Sequence, residues 1–152
     1  MKDGQKELVS NRKAFYDYEI MESFEGGIAL QGTEIKSLRN HGGSLQDAYI
    51  TIEKDELWLI HSSIAPYQFG SIHNHEERRK RKLLMHKHEI SRLKKATDEK
   101  GLTLIPLALY LKKGIVKVRI AIAKGKKNYD KRADIKDKEN KRMLQRKDKY
   151  EE

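Results

Sequence analysis

Histidines in His-x-His pairs and a run of carboxylates near the N-terminus are the residues of this sequence whose types and spacing could do chemistry. On a strand, His73/His75 and His86/His88 would each present two imidazoles on one face, a geometry that can hold a divalent metal. No acidic residue follows at matching spacing and the chain has no cysteine. The histidines therefore read as solvated loop residues, and neither a metal nor any other cofactor is expected. Asp17, Glu19, Glu22 and Glu25 could gather Mg²⁺ for phosphodiester hydrolysis, and Asp17 and Glu19 alternate along an expected strand. With 37% of all residues charged, however, neighbouring carboxylates are expected by chance. There is no Walker loop, no Gly-x-Ser-x-Gly elbow and no dinucleotide fingerprint. The sequence reads as that of a binder, with no catalytic residue.

Its basic sites are better founded. Arg78-Arg79-Lys80-Arg81-Lys82 sets five consecutive cations in an expected loop beside Leu84, and Asn11-Arg12-Lys13 precedes Phe15, Tyr16 and Tyr18. Cations interleaved with aromatic groups suit structured RNA, where phosphates fix position and exposed bases stack. An ordinary solvated surface would show the same clustering. The whole chain of 152 residues carries 33 Lys/Arg against 23 Asp/Glu, a net charge of +10 and a pI near 9.6, which points to a polyanionic partner. A membrane is disfavoured, because no run approaches the roughly 18 apolar residues of a spanning helix. The N-terminal stretch is charged and lacks the apolar core of a secretory signal, so a cytoplasmic location is the default expectation. Zero cysteines exclude disulfides, thiolate zinc sites and cysteine nucleophiles.

The elements that must position these residues follow from periodicity. From Tyr16 to Leu30 apolar residues recur every second position around Glu25-Gly26-Gly27, which predicts two strands with a bend at the glycines. Thr33 to Arg39 has helical spacing, with Thr33 as N-cap and Gly42-Gly43 beyond the end. Alternation between Asp47 and Ile64 around Glu53-Lys54-Asp55 predicts a hairpin. Pro66 to Arg81 is an expected exposed loop, His88 to Ala96 a longer helix, and Leu102 to Leu111 with Ile115 to Ala123 a second hairpin turning at Lys112-Lys113-Gly114. In its second strand Val116, Val118, Ile120 and Ile122 face inward while Lys117, Arg119 and Ala121 face out, so two cations could follow a phosphate backbone. About six short antiparallel strands with two to three short helices predict a mainly β fold, an oligonucleotide-binding (OB) type antiparallel barrel over residues 1–123.

Residues 124–152 form a separate segment. They hold 12 Lys/Arg against 7 Asp/Glu, and their sizeable apolar groups are Tyr129, Ile135, Met143, Leu144 and Tyr150. At roughly 25 cal/mol per Å² so little apolar surface cannot offset the roughly 1–2 kcal/mol per residue that ordering a backbone costs. A basic C-terminal tail, disordered in the free protein until a partner orders it, is the expectation.

Three stretches together resemble a known family: Ile28-Ala29-Leu30-Gln31-Gly32-Thr33-Glu34-Ile35-Lys36-Ser37-Leu38-Arg39, then Arg81-Lys82-Leu83-Leu84, then Ala123-Lys124-Gly125-Lys126-Lys127 with Tyr129-Asp130-Lys131-Arg132. They look like the SmpB family, the SsrA-binding proteins of bacterial trans-translation. The resemblance covers about residues 10–145. It implies an OB-type barrel that binds the tRNA-like domain of transfer-messenger RNA (tmRNA). It also implies delivery of that RNA to the A site of a stalled 70S ribosome, with the tail in the empty mRNA channel. The implied partners are tmRNA and the ribosome at its decoding centre and channel, mainly 16S rRNA, with no membrane and a monomeric protein. Family positions that bind the RNA match Asn11, Glu25 and Leu84, with Arg12, Lys36 and Arg39 as further contacts. The ribosome-binding tail would use Gly125 as a hinge, then Lys126, Lys127, Asp130, Lys131, Arg132, Ile135 and Met143, and would be helical from about Ala133 to Lys147. The family commonly has a histidine where this chain has Tyr16. A structural ribosomal or rRNA-assembly protein would share the basic surface and the tail.

Overall fold

Residues 5–70, 74–99 and 101–126 are described by the computed structural model. The elements run β1 (Gln5–Ser10), α1 (Arg12–Asp17), β2 (Tyr18–Ile28), α2 (Gly32–Arg39), β3 (Gly43–Ser44), β4 (Tyr49–Glu53), β5 (Glu56–Ile60), β6 (Ser63–Ile64), β7 (Arg81–Leu84), α3 (Lys87–Thr97), β8 (Leu102–Lys112) and β9 (Ile115–Gly125). The fold is mainly β and OB-like. Strands β8-β4-β5-β7-β2-β9 lie in that order, and β9 pairs back onto β8, so six antiparallel strands close a barrel while β1 adds to the free part of the β8 edge. Closure follows from alternation in β9, where Val116, Val118, Ile120 and Ile122 enter the core with Leu57 and Leu59 of β5 and Leu104 and Leu109 of β8. The β8–β9 hairpin turns at Lys113 and Gly114, both with positive φ, and β4–β5 turns at Lys54 and Asp55 in the same way. That handedness matches the twist of the flanking strands.

Several expectations are corrected by tertiary contacts. The segment expected as two strands bent at Gly26-Gly27 is the single strand β2, and its irregularity lies between Ile20 and Glu22. The glycines serve close approach instead of a bend. A Cβ on Gly26 would stand 3.1 Å from both Ile120 Cδ1 and Met85 Cγ, and one on Gly27 3.3 Å from Leu84 Cβ. Strand β1 and helix α1 were not expected, because the N-terminus has little apolar alternation, and Tyr16 and Asp17 belong to α1 instead of the strand. Asp17 therefore does not alternate with Glu19 along one strand. Helix α2 is capped at Gln31, whose N–H donates to Glu34 Oε1 at 2.8 Å. Thr33 is instead hydrogen-bonded through its hydroxyl to His75 Nδ1.

The largest correction concerns the basic run. Arg81 is fully buried, and its guanidinium donates to Glu34 Oε2 at 2.6 Å, to the Ser62 hydroxyl and to the carbonyls of Ser62, Arg79, Glu76 and Glu77. Arg79 pairs with the same carboxylate at 2.5 Å. Burial pushes the Glu34 carboxyl up, but hydrogen bonds from Arg79, the Gln31 N–H and Arg81 outweigh it and hold the group below its ordinary value. This cluster pins α2 to the barrel. Lys80 pairs with Glu53 and lies 4.5 Å above the Trp58 ring, and Lys82 pairs with Glu56, so the run is largely consumed internally. His75 is likewise no solvated loop residue, since its Nε2–H donates to the buried Ile64 carbonyl. His73 lies outside the described residues.

The barrel does not stop at Ala123. Gly125 still pairs with Tyr18 as the last residue of β9, and the Lys126 N–H donates to the Asp17 carbonyl at 2.9 Å. The tail expected beyond it, with Lys127, Asp130, Lys131, Arg132, Ile135 and Met143, lies outside the described residues.

Candidate nucleic-acid interface

The register of four strand pairs builds one outward belt. Leu84, Gly27, Lys117, Tyr110 and Glu7 lie side by side across β7, β2, β9, β8 and β1, and Glu25, Arg119, Ala108 and Ser10 form the adjoining row. Directly paired residues share a face, so the belt crosses about 19 Å at roughly 4.8 Å per strand. An irregularity between Glu7 and Val9 keeps both rows in step on β1. The other end of this face is covered by α1, whose Ala14 packs on Ile105, Leu107, Ala121 and Ala123 beside Tyr18 and Ile20. Ala121 thus points outward as expected but is buried beneath a helix. What α1 leaves open is the polar end.

There the carboxylate of Glu25 is held from two sides. The Tyr110 hydroxyl donates to Oε2 at 2.5 Å, and Lys112 Nζ approaches Oε1 at 3.3 Å. The Tyr110 hydrogen bond is the main cause holding the Glu25 carboxyl below its ordinary value, with burial opposing and Lys112 and Arg119 assisting. Burial, and then donation to Glu25, pushes the phenol up, so it stays protonated and remains a donor. Arg119 lies 5.6 Å from the Tyr110 ring centroid and roofs the phenol. A carboxylate has about four lone-pair sites, so Glu25, still partly exposed, can take a further donor such as a base N–H or a ribose hydroxyl. Leu84 is 51% exposed beside it, with Gly27 leaving its flank open.

Of the residues singled out in the sequence, Glu25 and Leu84 line one hollow together with Lys117. Asn11 sits at the far end of the belt, mostly buried, with its N–H on the Leu107 carbonyl and its Nδ2 donating to the Pro106 carbonyl at 2.8 Å. That pairing fixes the start of α1 and projects Arg12 and Lys13 into solvent beside His41 and Gly43. Lys36 goes elsewhere, 5.5 Å from the Tyr67 ring, and Arg39 is exposed on the same helix one turn later. Tyr110 was not singled out in the sequence, and Lys112, expected in the hairpin turn, is the last residue of β8. The alternation Ala108, Tyr110, Lys112 would have placed them on one face, but only pairing with β9 and β2 brings them to Glu25.

Comparison with known proteins places this geometry in a family. The SmpB protein family matches residues 8–150. The chain belongs to the SmpB family. Its SmpB relatives include the SsrA-binding protein of Protochlamydia amoebophila, 66% identical over 145 residues covering 95% of each chain. The SsrA-binding protein of Chlamydia muridarum is 60% identical over 139 residues, which cover 91% of this chain and 92% of the relative. Among solved structures, a chain from tmRNA–SmpB and the bacterial ribosome superposes with a TM-score of 0.66 at 49% identity, covering 78% of this chain and 84% of that one.

Proposed function

We propose that this chain is an RNA-binding adaptor that binds the tRNA-like domain of tmRNA and delivers it to stalled ribosomes in trans-translation. The observation that carries the site is the Glu25 carboxylate, kept ionised by Tyr110 and Lys112 and set between Leu84 and the cations Lys117 and Arg119. An acidic group repels phosphate, so at an RNA surface it is useful only as an acceptor for a base edge or ribose hydroxyl. Leu84 would pack on an unstacked base. Lys117, Arg119, Arg12 and Lys13 would meet phosphates and fix the register. Asn11 contributes by holding α1 in place at the belt's end.

The reading is of binding without catalysis. Asp17 and Glu19, the pair on which a metal-dependent nuclease would depend, are split between α1 and β2. Residues 124–152 are the proposed ribosome-binding tail, whose root is fastened to α1 through Lys126 Nζ and the Phe15 carbonyl at 3.2 Å. The protein would act as a monomer in the cytoplasm, where ribosomes are. No helix among the described residues is long and apolar enough to cross a membrane.

Sequencing the RNA that co-purifies with the protein at moderate salt tests the proposal. A single dominant tmRNA species is expected. Stable co-purification with ribosomal subunits from cells lacking tmRNA would favour a structural ribosomal or rRNA-assembly protein instead.

A further inference from the structure

Phe69 is 77% exposed, more than any other large hydrophobic side chain among the described residues. Single exposed apolar residues are ordinary. The framework beneath this one is not. The Asn74 carboxamide clamps the backbone of Tyr67 on both sides, accepting from its N–H at 3.2 Å and donating to its carbonyl at 2.9 Å. The Gly70 N–H donates to the same carbonyl at 2.9 Å, and a Cβ on Gly70 would stand 2.4 Å from Asn74 Nδ2, so only glycine closes the turn against the amide. Tyr67 then meets Phe69 edge to face, with centroids 5.7 Å apart. The turn from Tyr67 to Gly70, tied to Asn74, thus displays a ring that water solvates poorly.

We infer that Tyr67 and Phe69, with Lys36 and Arg39, form a second RNA contact that stacks an unpaired nucleobase and binds its phosphate. The charge pattern favours this occupant. Lys36 lies 5.5 Å from the Tyr67 centroid, Arg39 follows on the same helix, and neither makes an ion pair with a carboxylate among the described residues. The other exposed cation–aromatic pair in a basic stretch, Lys80 over Trp58, is neutralised by Glu53, and Lys82 beside it by Glu56. That face of β4, β5 and β7 is self-compensated. The Tyr67 loop combines aromatic surface with uncompensated positive charge, the combination that binds single-stranded nucleic acid without sequence readout. The inference rests on the RNA-binding reading of the chain but not on the Glu25 belt, since none of its residues lines the hollow of Glu25 and Leu84.

The test uses the full chain carrying E25A and L84A, so that the belt is already weakened, and a fluorescent single-stranded oligoadenylate of about 12 nucleotides. Adding Phe69→Ala is expected to lower affinity about tenfold, as loss of one stacked base does, while Phe69→Tyr retains it. Lys36→Gln is expected to reduce the salt slope by about 0.7. An affinity unchanged by Phe69→Ala would overturn the inference, including the case in which Lys36→Gln alone weakens binding or the loop serves a protein partner. Because Phe69 is exposed, thermal unfolding of Phe69→Ala should match that of the parent chain. If E25A with L84A leaves tmRNA binding intact, the belt assignment fails, and the oligoadenylate result still decides the loop.

Discussion

Tyr110 on β8 donates a hydrogen bond from its hydroxyl to the Glu25 carboxylate on β2 at 2.5 Å, reaching past the intervening strand β9. The bond fixes the carboxylate in position and keeps it ionised. Replacing Tyr110 with Phe preserves the ring beneath Arg119 but removes the donor. The Glu25 pKa should rise toward its ordinary value, and tmRNA affinity should fall several-fold because the carboxylate is no longer held in place. A carboxyl-carbon NMR titration and filter binding read the two effects. Unchanged ionisation would assign the control of Glu25 to Lys112 and Arg119.

Glu25→Ala with Leu84→Ala should weaken tmRNA binding at least tenfold with little loss of stability, because both side chains are partly exposed on the belt. Lys117→Ala and Arg119→Ala should each flatten the dependence of log affinity on log salt by about one unit, as loss of a phosphate contact does. Equal salt slopes in parent and variants would remove these two cations from the interface.

Glu34→Gln leaves Arg81 buried without its counter-charge and should cost about 3–5 kcal/mol in urea unfolding, although Glu34 lies on no binding surface. The folded Glu34 pKa is lowered, so its stabilisation is complete above the unfolded-chain value of about 4.5 and is lost as pH falls through the lower folded value. Unfolding midpoints of the parent should therefore drop steeply below about pH 4.5, and those of Glu34→Gln much less. Parallel pH profiles would count against an ionised Glu34.

Ending the chain after Lys126 should leave tmRNA affinity within about twofold while abolishing peptide tagging on stalled ribosomes. A large loss of RNA affinity would contradict the proposed division between barrel and tail. Ending it after Ala123 should also lower the thermal midpoint, because it removes the pairing of Gly125 with Tyr18 and the Lys126 bond to Asp17.

Strong local patterns were legible in the sequence. The two hairpins expected around Glu53-Lys54-Asp55 and Lys112-Lys113-Gly114, the helices over Thr33–Arg39 and His88–Ala96, and the inward set Val116, Val118, Ile120 and Ile122 all rest on periods of 2 or 3.6 residues that neighbouring side chains enforce. Strand β1 escaped because its pairing with β8 is long-range and its own alternation is broken by the irregularity at Leu8. Exposure in charged stretches escaped for a related reason. Arg81 and Lys82 are adjacent and alike in charge, yet one is fully buried and the other half-exposed, since successive residues of a strand face opposite ways and Glu34 waits on only one side.

By itself the sequence determined a cysteine-free, strongly basic, mainly β chain with a charged C-terminal segment, because composition and short-range periodicity are properties of neighbouring residues. Through the family resemblance it also pointed to Glu25 and Leu84, 59 positions apart, as positions of an expected RNA-binding surface. Only the tertiary structure decided how that surface is made. Barrel closure sets Tyr110, Lys112 and Arg119 around Glu25, and the pairing of Arg81 with Glu34 withdraws one cation of the basic run into the core. Both outcomes depend on which strands lie side by side, and cross-strand register is fixed by packing between residues distant in the chain.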